Sequence, residues 1–138
     1  MIEGDLLPIL KILVAGALAL PVAWHREKHS RIVGLRTFPL VATGACAYVL
    51  IGLHAFGDSD ANARILQGLM TGIGFIGGGA ILKHDDHVTG TASAASIWVT
   101  GAIGASVAFG YWQYAISLAV INFLIVVVLT PLKPKDQQ

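Results

Sequence analysis

Long stretches without a charged residue constrain the fold of this chain more than any other feature of its sequence. Arg36 and Asp58 enclose 21 uncharged residues, and Arg64 and Lys83 enclose 18. A charged side chain at the centre of a bilayer costs roughly 2.5–3.5 kcal/mol, and a helix needs about 20 apolar residues to cross the bilayer. Each stretch therefore predicts one membrane-spanning helix, at residues 38–56 and 65–82.

The C-terminal part of the chain predicts two further spans. Between Asp86 and Lys133 lie 46 uncharged residues, which is enough for two helices and a turn. Residues 110–114 suit the turn, because a glycine is followed there by aromatic side chains with polar groups, which favour the headgroup layer. The predicted spans are residues 91–110 and 114–131.

The first apolar segment, residues 6–24, is interrupted by Lys11. That residue is close enough to the end of the segment for its ammonium group to extend to the interface, so we predict a fifth span here. Glu3 and Asp5 precede the segment at positions where a cleavable signal peptide carries positive charge, so the segment does not resemble one.

The composition also favours a membrane protein. Hydrophobic residues make up 55% of the 138-residue chain and charged residues only 12%, whereas soluble domains contain about 25% charged residues. The predicted fold is all-α, a polytopic transmembrane helix bundle of about five spans in one domain, residues 1–132, with a short cytoplasmic tail at 133–138. A single cysteine, Cys46, excludes an internal disulfide and a multi-cysteine metal site.

Lysine and arginine are unevenly distributed between the two ends of the predicted bundle, and only Lys11 and Arg64 fall on one side. Because positive residues in short loops favour the cytoplasm, the N-terminus is predicted outside and the C-terminus in the cytoplasm. The basic run at 25–31 is interpreted as part of this orientation signal, and it would attract anionic lipid headgroups. The predicted cytoplasmic residues are Arg26, Lys28, Arg31, Arg36, Lys83, Lys133 and Lys135.

The third predicted helix is rich in glycine, although each glycine weakens a helix in water by about 1 kcal/mol relative to alanine. Two interpretations stay open. Glycines four residues apart let neighbouring helices approach closely, which would make this the central helix, packed on two sides. Alternatively, residues 77–79 unwind and direct backbone carbonyls toward an ion or a substrate. The glycines are Gly68, Gly72, Gly74, Gly77, Gly78 and Gly79.

The fourth predicted helix offers a matching surface, with Ser93, Ser96 and Thr100 at three- and four-residue steps. Such hydroxyls usually bond across helices or to carbonyls of their own helix. Apart from Lys11, the predicted spans contain no Asp, Glu, Lys or Arg, which argues against a proton-driven transporter acting as a single chain. No nucleophile lies beside an evident base, so neither an enzymatic activity nor a cofactor is predicted.

Two polar segments flank the third helix. At its start, Asp60 is predicted to cap the helix before Arg64. The segment after it is interpreted as a solvated loop whose acids begin the fourth helix, because it matches no metal-site spacing; divalent-ion binding is the alternative. The candidate ligands in this loop are His84, Asp85, Asp86 and His87.

Several segments together resemble the MgtC/SapB family of bacterial membrane proteins. They are GLRT at 34–37, LVATGA at 40–45, Arg64, GIGF at 72–75, and the segment from Gly90 through Trp98 to Gly104. The similarity covers about residues 26–110, in the same order and with similar spacing. The motif and packing residues that it implies are Gly34, Arg36, Thr37, Gly44, Arg64, Gly68, Gly72, Gly74, Phe75, Gly77, Gly79, Gly90, Ser93, Trp98 and Gly104.

The chain departs from the family pattern at several positions. The Glu-Arg pair that usually follows the first helix is His25-Arg26 here, so a role for that acid is absent or moved. Gly68 stands where the family has a glutamine, and Ala92 and Val99 replace an asparagine and a cysteine. The virulence factor of the family also has a soluble C-terminal domain, whereas this sequence ends just past the last predicted span and is expected to be a membrane-only member.

The resemblance implies a multi-pass protein of the bacterial inner membrane, in a family with links to low-magnesium growth and to restraint of the ATP synthase. The first hypothesis is a regulatory or accessory protein of magnesium homeostasis that acts through helix contacts, with Arg36 and Arg64 anchoring opposite helix ends. The alternative is a magnesium-related ion or solute transporter whose pathway forms in an oligomer. Expected partners are the bilayer, a second copy of the chain in a dimer and another inner-membrane protein, with no nucleic acid.

Overall fold

The computed structural model describes residues 2–30 and 33–132, with residues 2–5 described by their backbone alone, and helices dominate this part of the chain. The predicted all-α fold class is confirmed. An antiparallel hairpin, β1 Leu82–Lys83 with β2 Val88–Thr89, precedes the fourth helix, and a 3-10 helix, Thr130–Leu132, follows the fifth. The α-helices are α1 Ile2–His29, α2 Thr37–Phe56, α3 Ser59–Gly79, α4 Thr91–Phe109 and α5 Trp112–Leu129.

Short connections make consecutive helices antiparallel, so the bundle has two ends. We call one of them the basic end, because Arg26, Lys28, Arg36 and Lys83 lie there with the hairpin and the C-terminus of α5. At the opposite end, Lys11 Nζ donates a hydrogen bond to the carbonyl oxygen of Ala108 at 2.9 Å. This carbonyl belongs to the last turn of α4, where a cation is favourable.

Four of the helices, all except α3, are long and apolar enough to cross a membrane. Helix α3 has 21 residues, which corresponds to about 32 Å of helix, and it runs between the same two ends. Its crossing as a fifth span, and the orientation of the bundle across the membrane, stay predictions. Three residues of the orientation argument lie outside the described residues: Arg31, Lys133 and Lys135.

The central helix of the bundle is α4. It contacts each of the other four α-helices, and 61% of its most apolar stretch is buried, against 17–39% in the other candidate spans. Small residues on α4 allow its neighbours to approach closely. At Gly104, for example, an added Cβ would overlap the backbone carbonyl oxygen of Ala42 in α2. The backbones of α2 and α4 are therefore in direct contact.

The prediction that α3 is the central helix is wrong. Its buried residues, Ile73 and Gly77, face α4, and a Cβ added at Gly77 would lie 3.0 Å from the carbonyl oxygen of Ala94. Helix α3 also contacts α2, where Ile65 lies against Gly52, and among the described residues the face that carries most of its glycines is open. A Cβ would meet no atom within 4 Å at Gly68, Gly72, Gly74, Gly78 and Gly79.

The alternative prediction, that residues 77–79 unwind, is also wrong. Helix α3 continues through Gly79, where it ends in a tighter turn. The carbonyl oxygens of Gly77 and Gly78 accept hydrogen bonds from the N–H groups of Ala80 and Ile81, at 3.0 and 3.1 Å. These carbonyls are used to close the helix and are not free to coordinate an ion.

Helix boundaries differ from the predictions at α1 and α3, whereas those of α2, α4 and α5 agree within two residues. Helix α1 continues five residues past the predicted end, to His29, because basic side chains are favourable in a last helical turn. Helix α3 begins at Ser59, six residues early. Asp58 caps it, with Oδ1 accepting the N–H of Asp60 at 3.2 Å, so the prediction of Asp60 as the cap is wrong.

The segment between α3 and α4 is a hairpin and not an open loop, and its acids do not begin α4. Asp85 and Asp86 lie at the hairpin tip, and α4 begins after Gly90 with no acidic residue in its first turn. Gly90 has a φ of +84° and sits against the Ala80 carbonyl at the end of α3. This contact holds the hairpin between the two helices.

Candidate functional site

A cavity of about 980 Å³ lies at the basic end, between α1, α4, α5 and the hairpin. Its volume is at the upper end of the roughly 300–1,000 Å³ of small-molecule sites. The inner wall is apolar and belongs to α5, with Leu118, Ile121, Ile125, Val126 and Leu129. The polar lining residues at the basic end are His25, Arg26, His29, Ser30, His84, His87, Thr89 and Thr130.

Arg26 is the residue of this cavity that most needs an explanation. Its side chain is buried, with 6% exposed, and Nε and Nη2 have no hydrogen-bond partner among the described residues. None of the described residues that line the cavity is Asp or Glu. A buried charge without a partner is strongly unfavourable, so this arrangement favours occupation by an anion.

The charged neighbours of Arg26 on α1 are engaged elsewhere. Glu27 Oε2 accepts the backbone N–H of Leu35 at 2.8 Å, which ties α1 to the segment before α2. Lys28 Nζ lies 4.8 Å from the centre of the Trp24 ring, in a cation–π contact. Neither side chain compensates the guanidinium.

His25 and His29 form an imidazole pair beside Arg26. Their ring centres are 4.2 Å apart, and His29 Nδ1 lies 2.8 Å from the carbonyl oxygen of His25. Because a carbonyl only accepts, Nδ1 of His29 must carry the proton. The Nε2 atom of His25 is buried without a partner in the described structure, while the ring edge packs against Phe123 of α5.

A buried polar network closes the cavity between α4 and α5. Ser96 Oγ donates to Asn122 Oδ1 at 2.7 Å, and Thr100 Oγ1 donates to the Ser96 carbonyl at 2.8 Å. The first of these bonds joins two helices, and such bonds in membrane proteins contribute about 0.6–1.7 kcal/mol. The predicted behaviour of the α4 hydroxyls is confirmed for Ser96 and Thr100. Sequence analysis does not single out Asn122, although it is the one side-chain amide within the predicted span 114–131.

The hairpin holds two of the candidate metal ligands over the cavity. His84 and His87 exchange backbone N–H···O bonds of 2.8 and 3.3 Å, and their rings stack with centres 5.0 Å apart. Both line the cavity, whereas Asp85 and Asp86 do not. Among the side chains described, those of residues 6–30 and 33–132, no three of His, Cys, Asp or Glu are grouped so that they could hold a metal ion.

The residues implied by the family resemblance do not form one site. Gly90 and Ser93 line the cavity, whereas Arg36 and Arg64 are exposed near opposite ends of the bundle. Gly34 and Gly104 lie where two parts of the fold are in close contact. An added Cβ would overlap Glu27 at Gly34 and Ala42 at Gly104. The others serve packing or lie open at the surface: Thr37, Gly44, Gly68, Gly72, Gly74, Phe75, Gly77, Gly79 and Trp98.

The apolar helices and their connections define a multi-pass α-helical membrane protein. Residues 12–135 match the model of the MgtC family, and the chain belongs to that family.

Three relatives show how far the similarity extends. Protein SrpB of Synechococcus elongatus is 35% identical over 80% of this chain and 69% of its own length. Protein MgtC of Salmonella typhimurium is 34% identical over 82% of this chain and 48% of its own. The Escherichia coli K12 protein named "Putative magnesium transporter YhiD" is 29% identical over 85% and 58%. The chain thus spans about half to two thirds of these relatives, and no solved structure matches it.

Proposed function

We propose that this chain is a regulatory or accessory protein of the bacterial inner membrane, linked to magnesium homeostasis, that acts through helix contacts and catalyses no reaction. The link to magnesium is supported by family membership and by the name of the YhiD relative. The bacterial source of the relatives supports the inner membrane. The first contact that we propose is with a second copy of the chain.

The open glycine surface of α3 is the observation that carries this proposal. A Cβ added at Gly68 or Gly72 would meet no described atom within 4 Å, and Phe75 beside them is 85% exposed. Glycines leave a groove that lipid chains fill poorly and that a second helix fills well. A separate groove of about 300 Å³ lies between α3 and α4, on another face of α3, and is lined by Met70 and Trp98 among others.

The charge of the cavity supports a regulatory role over cation transport. A magnesium ion entering the cavity would meet the Arg26 guanidinium without a carboxylate to offset it. Like charges at short range in a medium of low dielectric repel strongly. The helical backbone of α3 through Gly79 also supports this choice, because the carbonyls of Gly77 and Gly78 accept backbone N–H groups.

Disulfide cross-linking tests the proposed contact. We expect Gly72→Cys to form a disulfide-linked dimer in oxidised native membranes, because close-packed helices bring Cα atoms within the 4.4–6.8 Å or so that a disulfide requires. Cys46 is buried, so the wild-type chain is expected to form no disulfide-linked dimer. Val120→Cys, on the exposed side of α5, is the control. Equal cross-linking at both positions, or monomer alone, would contradict the contact.

Magnesium flux into liposomes distinguishes the two functional hypotheses. Vesicles that contain the purified protein and a magnesium-sensitive dye are expected to take up magnesium no faster than protein-free vesicles. An ionophore added at the end of each trace shows that the vesicles are sealed and loaded. A saturable, protein-dependent flux would overturn the regulatory proposal in favour of the transporter.

A further inference from the structure

We propose that the cavity at the basic end binds a phosphate-bearing anion, held by Arg26 and by the N-terminus of α4. This goes beyond the proposed function, which rests on the surface of α3.

The unpartnered atoms of Arg26 have the geometry for an oxyanion. Nε and Nη2 are adjacent on one edge of the planar guanidinium, and both are buried without a partner among the described residues. This edge offers two parallel N–H donors, which match two oxygens of one phosphate group. Arg26 is also one of the residues that line the cavity, so its charge is available there.

The N-terminus of α4 adds a second, independent attraction for an anion. Gly90, Ala92 and Ser93 line the cavity. Gly90 has no side chain to cap the helix, and the first turn contains no acidic residue. The free N–H groups of an uncapped helix start carry partial positive charge and bind phosphate groups readily. The buried Nε2 of His25 is a further polar atom that has no hydrogen-bond partner in the described part of the chain.

The apolar walls of the cavity and its depth in the bilayer are compatible with a phospholipid as the source of the phosphate. Arg26 is 20 residues along α1 from Leu6, or about 30 Å, which is the thickness of the hydrocarbon core of a bilayer. The guanidinium therefore lies at the level of lipid phosphates when Leu6 is at the other boundary. The apolar α5 wall fits acyl chains. The two possible sources are an anionic phospholipid and free phosphate, which share this chemistry.

Thermal unfolding in a neutral detergent tests the site. Phosphatidylglycerol added to the full chain is expected to raise the unfolding midpoint saturably, while phosphatidylcholine has a smaller effect because its choline offsets the phosphate charge. Arg26→Gln is expected to weaken the apparent affinity by about 10- to 100-fold, the loss typical for a hydrogen bond to a charged group. Lys28→Gln removes an exposed cation two residues away and is expected to keep the wild-type affinity.

Two further measurements identify the source of the phosphate and distinguish loss of binding from a folding defect of Arg26→Gln. Stabilisation by inorganic phosphate that is abolished by Arg26→Gln would support the site with free phosphate as its ligand. Ala95→Phe fills the cavity from α4, at an exposed position that does not alter the charge, and is expected to abolish the lipid effect. No saturable effect of any anion, or equal losses in Lys28→Gln and Arg26→Gln, would overturn the proposal.

Discussion

Gly104→Ala is expected to lower the free energy of unfolding of this protein by about 1–3 kcal/mol, the range for overpacking a core. An added Cβ at this position overlaps the carbonyl oxygen of Ala42 and also lies 3.0 Å from Cβ of Ala45. A backbone oxygen cannot rotate away as a side chain can, so α2 and α4 must separate. Since α4 contacts every other helix, separation of this pair loosens the whole bundle. Thermal or denaturant unfolding in mild detergent measures the effect.

Two matched variants separate this effect from the general consequences of adding a methyl group. At Gly44 on α2 an added Cβ would meet no described atom within 4 Å, so Gly44→Ala is expected to leave the free energy of unfolding unchanged or to raise it by up to about 1 kcal/mol, since alanine favours a helix. Gly101→Ala on α4 meets Cδ1 of Ile73, the far end of a flexible side chain, so an intermediate loss is expected. If Gly104→Ala were as stable as Gly44→Ala, the direct contact between α2 and α4 would be refuted.

The positions of the apolar helices could be predicted from the sequence because ionised side chains are expensive in lipid. Runs free of charge locate α2, α4 and α5 within two residues of their bounds. The same rule has less force at helix ends, where charged residues are tolerated. It therefore placed the end of α1 before His25, whereas the helix continues to His29.

Which helix is central could not be predicted, because small residues allow close approach without specifying the partner. Both α3 and α4 contain such residues. In α4 they are covered, as at Thr100 and Gly104, and in α3 they are open, as at Gly68 and Gly72. Lipid and a neighbouring helix are equally apolar, so hydrophobicity does not distinguish a face that packs within the chain from one that does not.

The candidate site escaped sequence analysis for a related reason. Arg26 belongs to a run of basic residues that is interpreted as an orientation signal, and nothing in the run distinguishes it from Lys28. Only the direction of each side chain on α1 does so, since Lys28 contacts Trp24 and Arg26 faces the cavity. Asn122, the polar residue that α5 contributes to the cavity, lies 96 residues after Arg26 in the chain.

Gly90→Ala is expected to be the most damaging single methyl addition, with a loss of about 2–5 kcal/mol in the free energy of unfolding. Two effects combine at this position. The φ of +84° is unfavourable for any residue with a Cβ, and that Cβ would overlap the carbonyl oxygen of Ala80. The hairpin must then move away from the end of α3, which displaces His84 and His87 from the cavity. Unfolding in detergent is again the measurement.

Gly110→Ala is the matched control, because it isolates the conformational effect. Gly110 has a φ of +79°, yet an added Cβ would meet no atom within 4 Å. Its substitution is expected to lose only about 1–2 kcal/mol, the cost of a left-handed conformation. The difference between the two variants measures the contact between the hairpin and α3. Equal losses would mean that this contact contributes nothing, and that the hairpin is free to leave the cavity in the folded protein.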